Sequence, residues 1–194
     1  MSLKSSNVPL GYLVISDENS INFKDMLDDY RHYFSGHTVE LTTNYNLLSQ
    51  VKIIFNEKDL PHLMGWEKVR IKNKDKNASK IIIDIDNLTF TKKLSKKNPN
   101  WKSIKKRNLN YNLLHRIFLD QDINVFVETS NMHPNRLHLN IVFVYNKKRE
   151  SIILGFRKTR TRDVFVPVTL HATNIHNQYN CRRRTKVKSL KWLD

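Results

Sequence analysis

The stretch FNEKDLPHLMGW, residues 55–66, sets a histidine between an extended apolar run and a Leu-Met-Gly turn. An imidazole with an ordinary pKa of about 6.5 takes and gives protons near neutrality. Cleavage of RNA by its own 2′-hydroxyl needs such transfers at both the attacking and the leaving oxygen, and needs no metal for them. His62 is therefore a candidate general acid or base. Its neighbours alone equally suit a histidine packed at a helix end with its ring bonded to backbone. A second group of residues lies in LGFRKTRTRDVFVPVTLH, residues 154–171. Arg157, Lys158, Arg160 and Arg162 crowd a turn between two predicted strands, where guanidinium forks could grip a phosphate. The plainer reading is a solvated charged turn. Alternation along the strand puts Gly155 and Arg157 on one face and Phe156 on the other. Thr169, just beyond, could hold a phosphate oxygen or orient a base.

Residues 92–107 carry eight basic side chains and no acidic one, with Trp101 among them. An aromatic ring flanked by cations such as Lys106 and Arg107 is a device for stacking single-stranded bases. Trp101 could as well cover a helix end. His171, His176 and Cys181 have spacings that could reach a zinc ion, but no fourth ligand is evident, and His133 with His138 is weaker. Asp84 and Asp86 lack the further acids of a two-metal nuclease site. No nucleophile elbow, phosphate loop or dinucleotide fingerprint occurs. No metal and no cofactor are expected.

These side chains need elements to hold them. Apolar residues at 23, 26, 27, 30 and 34 have helical spacing, with Asn22 to start the helix and Gly36 to stop it. HTVELTT and VKIIF read as a small hairpin. A second helix is expected where residues 109, 113, 114, 117 and 118 share an apolar face. INVFVET, RLHLNIVFVYN, SIILGFR and DVFVPV then read as four antiparallel strands. The expectation is an α+β fold, with N-terminal helices and a small hairpin packed on a four-stranded antiparallel sheet. Residues 1–20 form a lead-in, 21–175 a single domain and 176–194 a basic tail. Arg182, Arg183 and Arg184 lie in that tail, which has no clear apolar stripe and reads as ordered only on a partner.

Charge gives the broadest constraint. The 194 residues contain 34 Lys and Arg against 18 Asp and Glu, and residues 130–194 hold 14 basic and only 3 acidic side chains. Such a field suits a polyanion, because pairing with phosphates releases counterions. Nucleic acid is the expected partner of such a field, and RNA the form that the His62 chemistry above would act on. A membrane is not, since no basic amphipathic helix or signal-like leader accompanies the charge. The single cysteine excludes an internal disulfide, and a cytoplasmic location is expected.

FKDMLDDYRHYFSG, VKIIFNEKDLPHLMGW, ILGFR and VFVPVTL, in that order, resemble the phage-associated branch of the barnase-EndoU-colicin-RelE-like nuclease superfamily. The resemblance runs from about residue 21 to 171, and its most specific element is the PHLMG histidine motif. It implies helices ahead of a four-stranded sheet and metal-independent ribonuclease activity in a bacterial phage or mobile element. By motif, His62 takes the histidine position, Arg157 the strand-borne basic position and Thr169 the position of a Ser or Thr. The family's further basic residue corresponds to Lys93 or Lys105. An inhibitor protein is a partner the resemblance allows. The competing readings are a nucleic-acid-binding module without chemistry and a protein-binding phage component.

Overall fold

Asn22 starts helix α1 (Phe23–Tyr33) by accepting a hydrogen bond from the Lys24 amide at 3.0 Å, and Phe23, Met26, Leu27 and Tyr30 turn inward. The computed structural model describes residues 11–160 and 163–193. Strands β1 (Thr38–Thr43) and β2 (Gln50–Ile54) follow as the expected hairpin, each with alternating burial. Helices α2 (Asp59–Met64), α3 (Ala78–Asp86), α4 (Lys92–Ser95), α5 (Trp101–Leu109) and α6 (Leu113–Phe118) come next. Strands β3 (Val125–Glu128), β4 (Ile141–Lys147), β5 (Glu150–Lys158), β6 (Phe165–Asn174) and β7 (Arg184–Trp192) complete the chain. Among the described residues no helix is long and apolar enough to cross a membrane.

The sheet corrects the expected four antiparallel strands. Seven strands close a mixed barrel in the order β1-β2-β6-β5-β4-β3-β7, with β7 returning to β1. Every pairing is antiparallel except β2 with β6, which is parallel and rests on one residue pair, Ile53 with Phe165. The hairpin is part of the same sheet because an isolated pair of strands would leave two edges of unpaired N–H and C=O groups. The expected tail supplies the missing partner. In β7 the apolar residues Val187, Leu190 and Trp192 pack on the core between outward lysines. A bulge opposite Thr42 and Thr43 restores their facing after Lys188.

Helix α6 sends Phe118 into the barrel, where its ring centroid lies 5.0 Å from Phe55 and 6.0 Å from both Phe143 and Phe156. A smaller cluster of Val127, Leu139, Val142, Val144 and Ile153 covers the opposite face of the sheet. The described part of the lead-in is tied down through Asp29. Its carboxylate accepts from the Leu13 amide (2.7 Å) and the Tyr111 hydroxyl (2.6 Å), and lies 2.7 Å from His115 Nε2. Burial alone would raise this carboxyl, but its bonds to His115, Tyr111 and Leu13 hold it below its usual range.

Candidate active site

Helix α2 ends at Gly65, whose φ of 72° is the left-handed conformation that glycine adopts without cost. The glycine matters for a second reason. A Cβ here would stand 3.1 Å from both Arg107 Cδ and Ile104 Cγ2, so its absence lets α5 approach. Arg107 Nη1 donates to the His62 carbonyl at 3.1 Å and more weakly to that of Leu63 at 3.5 Å, satisfying acceptors that a helix end leaves open. Behind this contact, buried Trp66 donates its indole N–H to Asn108 Oδ1 at 2.9 Å. Asn108 in turn donates to the Met64 and Ile104 carbonyls. Each bond to this buried amide contributes about 1 kcal/mol, and losing one partner costs about 1–3 kcal/mol. The position of His62 relative to Arg107 is thereby fixed.

Strands β5 and β6 form the opposite wall. Phe156 is buried in the core and Arg157 is exposed, as strand alternation requires. Gly155 pairs with Thr169, and a Cβ on Gly155 would meet Leu139 Cδ1 at 2.7 Å and Thr169 Cγ2 at 3.1 Å. The register shifts beyond this pair, so that Phe156 faces Pro167. Proline lacks the ladder donor and sits here at a bulge that turns Thr169 toward the cleft. Thr169 Oγ1 lies 3.2 Å from His171 Nδ1. Burial first, then the charges of Arg107 and Lys68, pull His171 down to about 4, which leaves a neutral ring beside the hydroxyl at pH 7.

These walls enclose a cleft of about 450 Å³ lined by His62, Arg157 and Thr169 together. Lys68 and Arg107 add cations, and Asp59 and Glu67 add carboxylates. The His62 side chain is 58% exposed, with Nδ1 4.0 Å from Glu67 Oε2. That oxygen is buried and has no hydrogen-bond partner among the described residues. Burial raises the Asp59 carboxyl to about 6, against the hydrogen bond it accepts from the Asn56 amide. Among the described residues, Lys68, Arg107 and Arg157 form no ion pair. The arrangement is a concave site with an imidazole, a hydroxyl and three cations, of which Lys68 and Arg107 feel the Glu67 carboxylate without a direct ion pair among the described residues, and it suits an anionic phosphodiester.

Other expected residues fall elsewhere. Lys105 bonds Glu18 at 3.0 Å, and Lys93 is exposed on α4; neither lines the cleft. Arg107, on the same helix as Lys105, does line it. Trp101 is not available for stacking, being 6% exposed and packed 6.4 Å from Phe23. Lys106 pairs with Glu150 and Lys158 with Asp163. Arg160 lines a second cleft that shares Arg157 and Val166 with the first. Arg162 lies outside the described residues. Arg182, Arg183 and Arg184 line a separate groove at the start of β7. Asp84 is bound by Arg70 and Lys80, and Asp86 by Arg31, as structural ion pairs. Among the described residues no three His, Cys, Asp or Glu side chains group as a metal site, His171, His176 and Cys181 included. The sequence reading overlooked Lys68, Asp59 and Glu67. Asp59 had a signal, standing one helical turn before His62.

The family model described as phage-Barnase-EndoU-ColicinE5/D-RelE like nuclease4 matches residues 22–194. No curated protein and no solved structure matches the chain.

Proposed function

The chain belongs to this nuclease family, and from that premise we propose that it is an endoribonuclease working by 2′-hydroxyl attack without a metal. The observation that carries this reading is the meeting of His62, Arg157 and Thr169, from α2, β5 and β6, in one cleft. His62 takes the proton of the 2′-hydroxyl as that oxygen bonds to phosphorus. The bond from phosphorus to the 5′-oxygen breaks, and the leaving oxygen takes a proton. Asp59, in the same cleft and raised to about 6, supplies it. Products are a 2′,3′-cyclic phosphate and a 5′-hydroxyl.

Charge on the phosphorane is met by Arg157, Lys68 and Arg107, of which Arg107 is already fixed by the His62 and Leu63 carbonyls before reaction begins. Thr169 donates to or orients a phosphate oxygen while His171 backs its hydroxyl. Glu67, behind Nδ1, leaves Nε2 of His62 for the substrate.

The test is incubation of labelled RNA in EDTA with wild type and His62→Ala, with analysis of the product ends. Wild type should leave cyclic phosphates, and His62→Ala should lose about 10²–10⁴-fold in rate. A 2′-deoxy residue at the scissile position should block cleavage. If neither protein cuts while both bind RNA with steep salt dependence, the chain is a binding module instead. Cleavage abolished by EDTA and restored by a divalent ion would replace the metal-free mechanism.

A further inference from the structure

The cleft is one part of a longer basic rim. Phe156 pairs with Ile141, Ile141 with Glu128, and Val127 with Arg184. The end of β5, the start of β4, the end of β3 and the start of β7 therefore lie side by side at one end of the barrel. Asn140 stitches them. It donates its amide to the Phe156 carbonyl (2.9 Å), accepts from the Lys158 and Thr129 amides (2.7 and 2.8 Å), and donates to Ser130 Oγ (3.1 Å). At about 4.8 Å between neighbouring strands, β5 to β7 spans about 14 Å.

Cations mark both ends of this path. The catalytic cleft shares Arg157 and Val166 with the adjoining cleft that holds Lys158 and Arg160. Across Asn140 and Glu128 the rim reaches a groove of about 330 Å³, with Arg182, Arg183, Arg184 and Lys186 beside Tyr45. Arg184 bonds Asn180 at 3.1 Å. Among the described residues Arg157, Arg160, Arg182 and Arg183 form no ion pair. Among the same residues Glu128 is the one carboxylate in the groove, and it accepts from the Ser130 amide at 2.7 Å. Cations left unpaired beside an aromatic ring, in line with a phosphodiester cleft, are the elements of a single-strand track.

We propose that single-stranded RNA leaves the cleft across the ends of β5, β4 and β3 and is held by Arg182, Arg183 and Tyr45 beyond them. The span corresponds to about four stacked nucleotides. This inference rests on reading the cleft as the site of cleavage.

The experiment compares a dinucleotide with a single strand of about twelve nucleotides, long enough to fill both sites. The variants are Arg182→Glu with Arg183→Glu, the corresponding double alanine, and Tyr45→Ala with Tyr45→Phe as its rescue. Dinucleotide cleavage should stay within about twofold of wild type, which also certifies the fold. The longer strand should show KM raised about tenfold in the double reversal, and its salt slope should fall by about 1.4, the value for two phosphates no longer neutralised. Equal losses on both substrates, or unchanged binding of the longer strand, would overturn the track. If wild type cuts neither substrate, the cleavage reading fails, and anisotropy of the longer strand decides the groove alone. Weaker binding by the arginine variants then upholds it, and equal binding removes it. Polyglutamate that displaces the strand as well as unlabelled RNA does would assign the groove to an acidic protein and overturn the proposal.

Discussion

His171 and Asp59 titrate in opposite senses on the two walls of one cleft. His171 is held at about 4 when folded, against about 6.5 when free, so the unfolded chain binds more protons between those values. Stability from this source is complete above pH 6.5 and is lost as pH falls toward 4. His171→Gln should flatten that dependence in urea unfolding at pH 5 and pH 7. Asp59 is raised to about 6, so the folded chain binds more protons between about pH 4 and 6 and loses stability as pH rises through that window. Asp59→Asn should therefore gain about 1 kcal/mol at pH 7, after allowance for partial exposure, and nothing at pH 3.5. The same scale shows what sequence can and cannot reveal. Strand alternation placed Arg157 opposite Phe156, because period two admits only one arrangement. Nothing comparable told Lys105 from Arg107. Both are basic residues on one helix, and only the packing of α5 sends the first to Glu18 and the second to α2.

Helix α2 owes its orientation to a glycine and an amide rather than to its own length of six residues. Gly65→Ala should cost about 1–2 kcal/mol for the left-handed backbone. It should also reduce cleavage beyond what lost stability explains, because the new methyl displaces Arg107 from the His62 carbonyl. Comparing the unfolding free energy with the rate on one RNA separates the two effects. Elsewhere Asp29 joins the lead-in, α1 and α6 through buried bonds. Asp29→Ala leaves Tyr111 and His115 without their acceptor and should cost about 3 kcal/mol in denaturant unfolding. Helix α1 and the hairpin were legible from spacing and turn chemistry, but the helix expected to carry residues 109 to 118 is broken at residues 110–112 between α5 and α6, and α2 and α3 were not anticipated. Strand β7 was not legible either, because lysines at alternate positions outweigh Val187, Leu190 and Trp192 in any compositional reading, and its pairing depends on distant β1 and β3.

At the scale of the molecule, closure is the main fact that local pattern did not disclose. A ring of seven strands has no exposed edge, and β7 is the strand that removes the last two. Deleting residues 184–194 should expose β1 and β3 and yield a chain that aggregates or unfolds non-cooperatively, visible in far-UV dichroism against urea. The closure is uneven, however. Strands β5 and β6 share nine paired positions, whereas β2 meets β6 at Ile53 and Phe165 alone. That thin joint lies where the chain leaves β2 for α2 and where β6 begins, beside the wall that carries Thr169. The barrel is thus joined there like a clasp rather than a hoop. Its backbone amides near residues 53 and 165 should exchange with deuterium well before those of β5.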